Sequence, residues 1–419
     1  MKDKIDSALQ KAAEFLAKKQ KKEGNWEKDK TIHNEPADYM TDLVLTSESI
    51  GMFTFIKNTD YLENMRKAAF FCAEYELEPN ALPVLWAWKL LALKNLNTPY
   101  NVNLKKQAEE ILIKTQKDGY WPVFPTTSNL NNFYAIFALF NTGNEKVLNK
   151  TKKWLEASMA KDGKGWGMDH NAEVSEVTFT ANAIISLILS GASPDSKHLT
   201  DAKKFIESSQ KKSGAWISTK FTTPTETTYA TSFGTLSLML LSNNPFDEQV
   251  QKGISYLLKS QRTDGSWPLV ANEKQGLIYT TYFAVLAIAF YKYLLDNLDA
   301  ADELLAPPVS TCLLFKQFLK ESNKALAWMT ISKMFDSKIL GSTINAIDRR
   351  KDIISVLLNN GAKDVAAVID ELKKQEKYNY LNKKHHITQI KSDMEYLKDI
   401  KIVDKIYDLY FICTDFFKL

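Results

Sequence analysis

The sequence predicts an all-α fold, an α/α toroid of about six helical hairpins followed by a C-terminal helical module, and three features predict it. First, one pattern recurs: an apolar anchor in a lysine-rich helix, usually a glutamine five positions on, then glycine, then tryptophan. The copies are Phe15/Gln20/Gly24/Trp26, Ile111/Gln116/Gly119/Trp121, Trp154/Met159/Gly165/Trp166, Phe205/Gln210/Gly214/Trp216 and Tyr256/Gln261/Gly265/Trp267. A degenerate copy without glycine and tryptophan fits at Phe70 to Tyr75. Anchors spaced by roughly 40 to 55 residues are the period of one helical hairpin per repeat. Second, wet and greasy helices alternate. Third, the pattern stops at Pro307-Pro308.

Each repeat opens with a helix whose apolar residues recur at three and four positions, as at Ile5, Leu9, Ala12, Phe15 and Leu16, so one face is buried and one is solvated. After the tryptophan comes a polar stretch, then a second helix apolar nearly all round. Thr178 to Leu189, Thr228 to Leu241 and Thr281 to Tyr291 are examples. A helix without a wet face has to be enclosed. Two concentric rings enclose six of them, whereas a linear solenoid of hairpins leaves them partly exposed.

The turn chemistry explains the repeated residues. Glycine just past a helix ends it in a left-handed conformation without a Cβ penalty. Glutamine can tie loose backbone groups at that helix end, and tryptophan roofs the junction with a large apolar face and one indole N–H. Gln20, Trp26, Gln116, Trp121, Trp166, Gln210, Trp216, Gln261 and Trp267 are therefore read as structural staples.

Composition narrows the function. With 54 basic against 50 acidic side chains the net charge is +4 over 419 residues, too diluted a surplus to indicate nucleic acid. Cys72, Cys312 and Cys413 are far apart, with no metal-ligand spacing, and read as reduced thiols of a cytoplasmic protein. No metal or cofactor is implied. The N-terminus lacks a signal-peptide core. Leu277 to Leu295 has the length and greasiness of a membrane span, but its register with the other inner helices reads as a core helix. The expected domains are a toroid over 1–305 and an all-helical module over 309–419. The module's helical periodicity runs through Leu313 to Phe335, Ile353 to Leu358, Val365 to Leu372 and Met394 to Phe417, and Lys373 to His386 is its most polar stretch.

The repeats over about residues 1 to 295 resemble the glutamine-tryptophan repeats of the squalene-hopene and oxidosqualene cyclases and the toroid of protein prenyltransferase β-subunits. The resemblance implies a central cavity lined by inner helices, which holds a polyisoprenoid in the cyclases and a prenyl diphosphate with a peptide in the prenyltransferases. Proton-initiated cyclases use an Asp-x-Asp-Asp motif whose carboxylic acid needs a raised pKa and a dry pocket. This chain has no two adjacent aspartates. Aligned on Thr180-Ala181, the motif's acid positions fall on Glu176, Thr178 and Phe179. The five histidines and three cysteines do not cluster as zinc ligands, which also argues against a lanthipeptide cyclase.

If all inner helices start at one rim, that rim gathers Asp38, Asp42, Asn131, Asn132, Tyr134, Glu173, Glu176, Thr225, Glu226, Thr228, Tyr279, Thr280 and Tyr282. One reading is helix capping by Ser175, Thr225 and the glutamates. The other is a pocket mouth in which Glu176 and Glu226 are the acids of an enzyme, and Asp38, Tyr134, Glu173, Thr178, Phe179, Thr228, Tyr279 and Tyr282 contact ligand. His170 beside Asp169 has no serine or cysteine to activate and reads as a surface residue. The expected function is a toroid without the cyclase acids or zinc ligands. It binds an apolar, isoprenoid-like ligand or a protein segment, and its C-terminal module is an adaptor to a protein partner. The alternatives are a terpene cyclase or prenyltransferase with a non-standard acid, and a carbohydrate-acting toroid with two facing carboxylates.

Overall fold

In the computed structural model, residues 2–27, 41–94, 99–122, 129–218, 224–301, 307–323, 344–361, 363–378, 384–399, 402–406 and 408–412 are described. Asp38 and Cys413 lie outside them. Twelve helices form the six hairpins. The outer helices are α1 (Lys2–Lys19), α3 (Leu62–Glu74), α5 (Pro99–Thr115), α7 (Glu145–Ala157), α9 (Lys197–Ser209) and α11 (Glu248–Ser260). The inner ones are α2 (Asp42–Ile56), α4 (Pro83–Leu93), α6 (Asn129–Leu139), α8 (Val177–Leu189), α10 (Thr228–Leu241) and α12 (Ile278–Ala301). Each inner helix packs on the next, and α12 packs back on α2. The ring is closed, which excludes the solenoid. Two short strands, β1 (Trp216–Ser218) and β2 (Thr225–Thr227), pair antiparallel ahead of α10.

The burial follows the sequence pattern. All of α8 and α10 is buried, whereas α7 and α9 bury a single stripe each. The membrane-like helix is the sixth inner helix, with 72% of its most apolar stretch buried inside the protein.

The tryptophan turns are built alike. The indole N–H of Trp26, Trp121, Trp166, Trp216 and Trp267 donates to a carbonyl near the end of its own outer helix: Leu16, Leu112, Leu155, Ile206 and Leu257. The backbone N–H of the same tryptophans donates to Thr46, Asn132, Thr180, Thr231 and Thr281, in the first turns of the inner helices. Every such tryptophan thus joins both arms of its hairpin. The glutamines act between hairpins. Gln20 donates to the Gly24 and Asn64 carbonyls, Gln116 to Val147, Gln210 to Gly214 and Gln249, and Gln261 to Gly265 and Ala8. That last bond joins the sixth outer helix to the first. In the degenerate second repeat, the buried Lys89 of α4 donates instead to the Tyr75 carbonyl at the end of α3.

Helix α13 (Val309–Ser322), after the proline pair, returns to the ring and lies on α2, α10 and α12. Phe318 stacks on Phe55 at 5.4 Å and contacts Phe290 and Tyr293, while Glu321 accepts from Lys57 and Tyr293, each at 3.0 Å. Beyond it come α14 (Ile344–Asn360), α15 (Val365–Lys373) and α16 (Lys384–Asp399), then β3 (Val403–Ile406) and β4 (Leu409–Ile412) in an antiparallel hairpin. The helix expected from Met394 to Phe417 thus ends at Asp399. Ile, Val, Tyr and Phe dominate residues 402–412 and suit a pleated, half-buried surface, so β3 and β4 pair there.

Gly24, Gly119, Gly214 and Gly265 have φ of +92° to +96°, and a Cβ on each would meet backbone of the next outer helix, for Gly265 the Lys11 carbonyl at 2.0 Å. Gly191 has φ +84° with nothing within 4 Å. Gly191→Ala is therefore expected to cost about 1 kcal/mol for the left-handed conformation alone, and Gly265→Ala at least about twice that because the ring seam also has to open; urea denaturation midpoints measure both. Burial pushes the Cys72 and Cys312 thiols up to about 12. Neither is expected to react with a thiol reagent at pH 8 until the chain unfolds, which peptide mapping of the labelled protein checks.

Candidate functional site

The inner helices begin at the tryptophan rim, so positions along them give depth in the lumen. At the first turn stand Phe179, Tyr229 and Tyr279; Tyr229 meets Tyr279 at 5.9 Å. One turn deeper the lumen is filled. Trp88 contacts Tyr134 (5.1 Å), Tyr134 contacts Phe133 (5.3 Å), Phe133 contacts Phe233 (5.6 Å), Phe233 contacts Phe283 (4.6 Å), Phe283 contacts Tyr282 (4.9 Å), and Tyr282 returns to Trp88 (5.5 Å). This circuit of rings from α4, α6, α10 and α12 divides the lumen. Below it a cavity of about 30 Å³, with Gly51, Thr54, Phe55, Leu91 and Phe137 in its wall, is roofed by Leu319 and Asn323 of the α13 end. That is room for about one water. Gly51 is a glycine because the Tyr282 ring passes over it; a Cβ would lie 2.6 Å from the ring.

One acid belongs to this layer. Glu48, in the middle of α2, is 1% exposed. Burial drives the Tyr282 hydroxyl well above its ordinary pKa, and the nearby negative charge of Glu48 drives it further. A carboxylate in such surroundings is costly to keep and marks a functional candidate. Sequence reasoning missed it, although Glu48 is the one charge within an inner helix that otherwise reads Leu, Val, Thr, Ser, Ile and Phe after Asp42. On α8, Asn182 is fully buried, and neither atom of its amide has a hydrogen-bond partner among the described residues. It lies three residues after Phe179, on the same side of the helix.

The expected rim residues separate into groups. Tyr134 and Tyr282 belong to the aromatic circuit, and Tyr279 stands above it. Thr178, Phe179 and Thr228 are buried in the ring. Thr228 N–H donates to the Leu269 carbonyl. Glu173 is exposed and ion-paired with Lys161. Glu226 sits on β2 and its charge raises the pKa of Tyr256 on outer helix α11, after burial as the first cause, which places it against the outer ring. Glu176 starts α8 without a side-chain cap and is partly exposed. These three glutamates have separate surroundings. Asp42 accepts from Asn25, and Thr280 donates to the Trp267 carbonyl. The caps differ from those expected: Thr41 caps α2 and Thr227 caps α10, whereas Ser175 bonds Asp162. His170 is exposed beside Asn171 and Trp154. No cluster of three or more His, Cys, Asp or Glu suited to a metal occurs among the described residues.

Residues 104–224, most of the third hairpin, the fourth, and the outer helix of the fifth, match the squalene-hopene cyclase N-terminal domain family. No curated protein matches the sequence. Among solved structures, the type II terpene cyclase MstE from Scytonema is similar at 16% identity and TM-score 0.52, with 70% of this chain and 99% of that one covered. A variant of that enzyme in complex with its substrate geranylgeranyl dihydroxybenzoate aligns at 14% identity and TM-score 0.50, covering 76% and 99%. An unsaturated glucuronyl hydrolase from Bacillus sp. GL1 reaches 12% identity and TM-score 0.50, covering 71% and 97%. At such identities the likeness shows the toroid fold alone.

Phe283 touches four other rings of the lumen, those of Phe133, Tyr229, Phe233 and Tyr282. Phe283→Ala is expected to destabilise the protein by about 3 to 5 kcal/mol, read by chemical denaturation, and a loss under about 1 kcal/mol would mean that the layer is loosely filled.

Proposed function

We propose that this chain, a squalene-hopene cyclase type of toroid, holds an apolar, isoprenoid-like ligand at the rim side of its lumen, above the aromatic layer. The observation that supports this best is that layer itself. It floors the lumen one turn below the rim with six rings, and Phe179, Tyr229 and Tyr279 stand over it from three different inner helices. Such a wall receives a chain of methyl-branched alkene by area and by the negative faces of its rings. The buried, unpartnered Asn182 amide offers a hydrogen bond to a polar end group of the ligand. The solved relative from Scytonema, which holds a geranylgeranyl compound, is consistent with that ligand class. The cysteine content fits a reducing cytoplasm.

The rim glutamates do not serve as the acids of this reading. Glu173 is engaged by Lys161, and Glu226 faces the outer ring. The α13 roof and the rest of the C-terminal module are assigned no ligand contact.

Calorimetric titration with geranylgeraniol tests the proposal. Saturable binding is expected, weakened at least fivefold by Tyr229→Ala. Asn182→Leu is expected to leave stability unchanged or raised, because it removes an unsatisfied buried amide, while weakening an alcohol-bearing probe more than its hydrocarbon analogue. No saturable binding, or equal loss for both probes, would defeat it.

A second reading keeps the fold's catalytic use and is favoured by one observation, the buried Glu48 carboxyl near Tyr282. A proton donor in an aromatic wall that stabilises carbocations is what cyclisation requires. Product formation from a geranylgeranyl substrate, abolished by Glu48→Gln with binding retained, would establish it. Binding without turnover by the unaltered protein would leave the first reading standing.

A further inference from the structure

The C-terminal module, expected as an adaptor, has a more specific shape than a run of helices. Helices α14, α15 and α16 pack on one another, β3 lies along α16, and β4 lies on α14. Lys363, between α14 and α15, exchanges two backbone hydrogen bonds with Tyr410 of β4, at 2.9 and 2.8 Å, so the hairpin gains a short third strand. Ile353, Ile354, Leu357, Val368, Ile369, Leu372, Ile390, Met394, Leu397, Val403 and Tyr410 make its core. The result is a three-helix body with a hairpin at the side of its last helix.

The faces of α16 differ sharply. Ile390, Asp393, Met394 and Leu397 point inward, the spacing of one helical face. Asp393 is buried and neutralised by two guanidinium groups of α14, Arg349 and Arg350, each donating through Nε at 2.8 Å; Arg350 also lies 3.6 Å over the Tyr396 ring. The outward face carries Thr388, Gln389, Lys391 and Ser392, all exposed, with no carboxylate before Glu395, which is tied to Lys398, Lys405 and Tyr410. The chain's one aspartate in the first turns of that helix has been turned inside and compensated.

From this placement we propose that the module binds duplex DNA, with α16 entering the major groove. A helix of about 10 to 12 Å diameter fits a groove about 12 Å wide. Gln, Thr and Ser donate to and accept from base edges, and Lys391 meets phosphate or guanine. The exposed Asp404 and Asp408 of the hairpin leave the phosphate contacts to the helix. A net charge of +4 spread over the whole chain concealed this local asymmetry. The assignment concerns helix α16, which contributes no ring to the aromatic circuit, and does not depend on what the lumen holds.

Fluorescence anisotropy of the full chain with a labelled 25-base-pair duplex tests it. Binding in the micromolar range at 50 mM salt is expected, falling steeply as salt rises. Lys391→Glu is expected to weaken it at least tenfold, while Lys197→Glu on outer helix α9, an equal change of charge, leaves it within twofold. Thermal unfolding of both variants should match the unaltered protein. No duplex binding at 50 mM salt, equal loss in both variants, or a single strand bound as tightly as the duplex would overturn the proposal, and capture of a protein on the α16 face in place of DNA would do so as well.

Discussion

The fold depends on one repeated constraint, the double attachment of tryptophan at five of the six hairpins. A buried indole N–H has to find an acceptor, and it finds a carbonyl near the end of its own outer helix. The same residue's backbone N–H finds a hydroxyl or amide at the start of the following inner helix. The two bonds set how the wet helix and the greasy helix lie against each other. Glutamines and close-contact glycines then set how one hairpin meets the next, so a sixth copy arrives beside the first, where Gln261 meets Ala8 and Gly265 meets Lys11. Removing a single staple takes a donor away from the carbonyls it bonds, and a buried polar group left unmet costs about 1 to 3 kcal/mol.

Much of this was legible in the sequence because it repeats. Five glycines and five tryptophans in register announce a turn even where no single copy would. The inner partners of those tryptophans were not legible. Thr46, Thr180, Thr231 and Thr281 are hydroxyls inside apolar helices, and Asn132 breaks their type, so only the geometry shows that they share one role. The C-terminal hairpin was hidden for another reason. Residues 402–412 carry apolar side chains at spacings that suit a helix as well as a strand, and pairing with Lys363, about fifty residues earlier, decides between them.

The site was only partly legible. Tyr134, Tyr282, Phe179 and Tyr279 were identified from their helix starts, and they do belong to the lumen's two aromatic levels. The rim acids were identified by the same argument, but side-chain direction is set by partners that the sequence does not reveal. Glu173 turns to Lys161 and Glu226 to the outer ring. Glu48, the acid near Tyr282 of the aromatic layer, sits too deep in its helix to be found by looking at helix starts. The expected hollow also proved narrower than six greasy helices suggest, since their own aromatic side chains occupy its middle and leave only a water-sized space beneath.

The central claim is that what this toroid takes up sits on the rim side of its aromatic layer. Photoaffinity labelling with a diazirine-bearing geranylgeranyl analogue, followed by peptide mapping, tests that most directly. Labelled residues confined to the first two turns of α8, α10 and α12 and their neighbours are the predicted result. Label spread over the outer helices, or on α13 and the module beyond it, would contradict it.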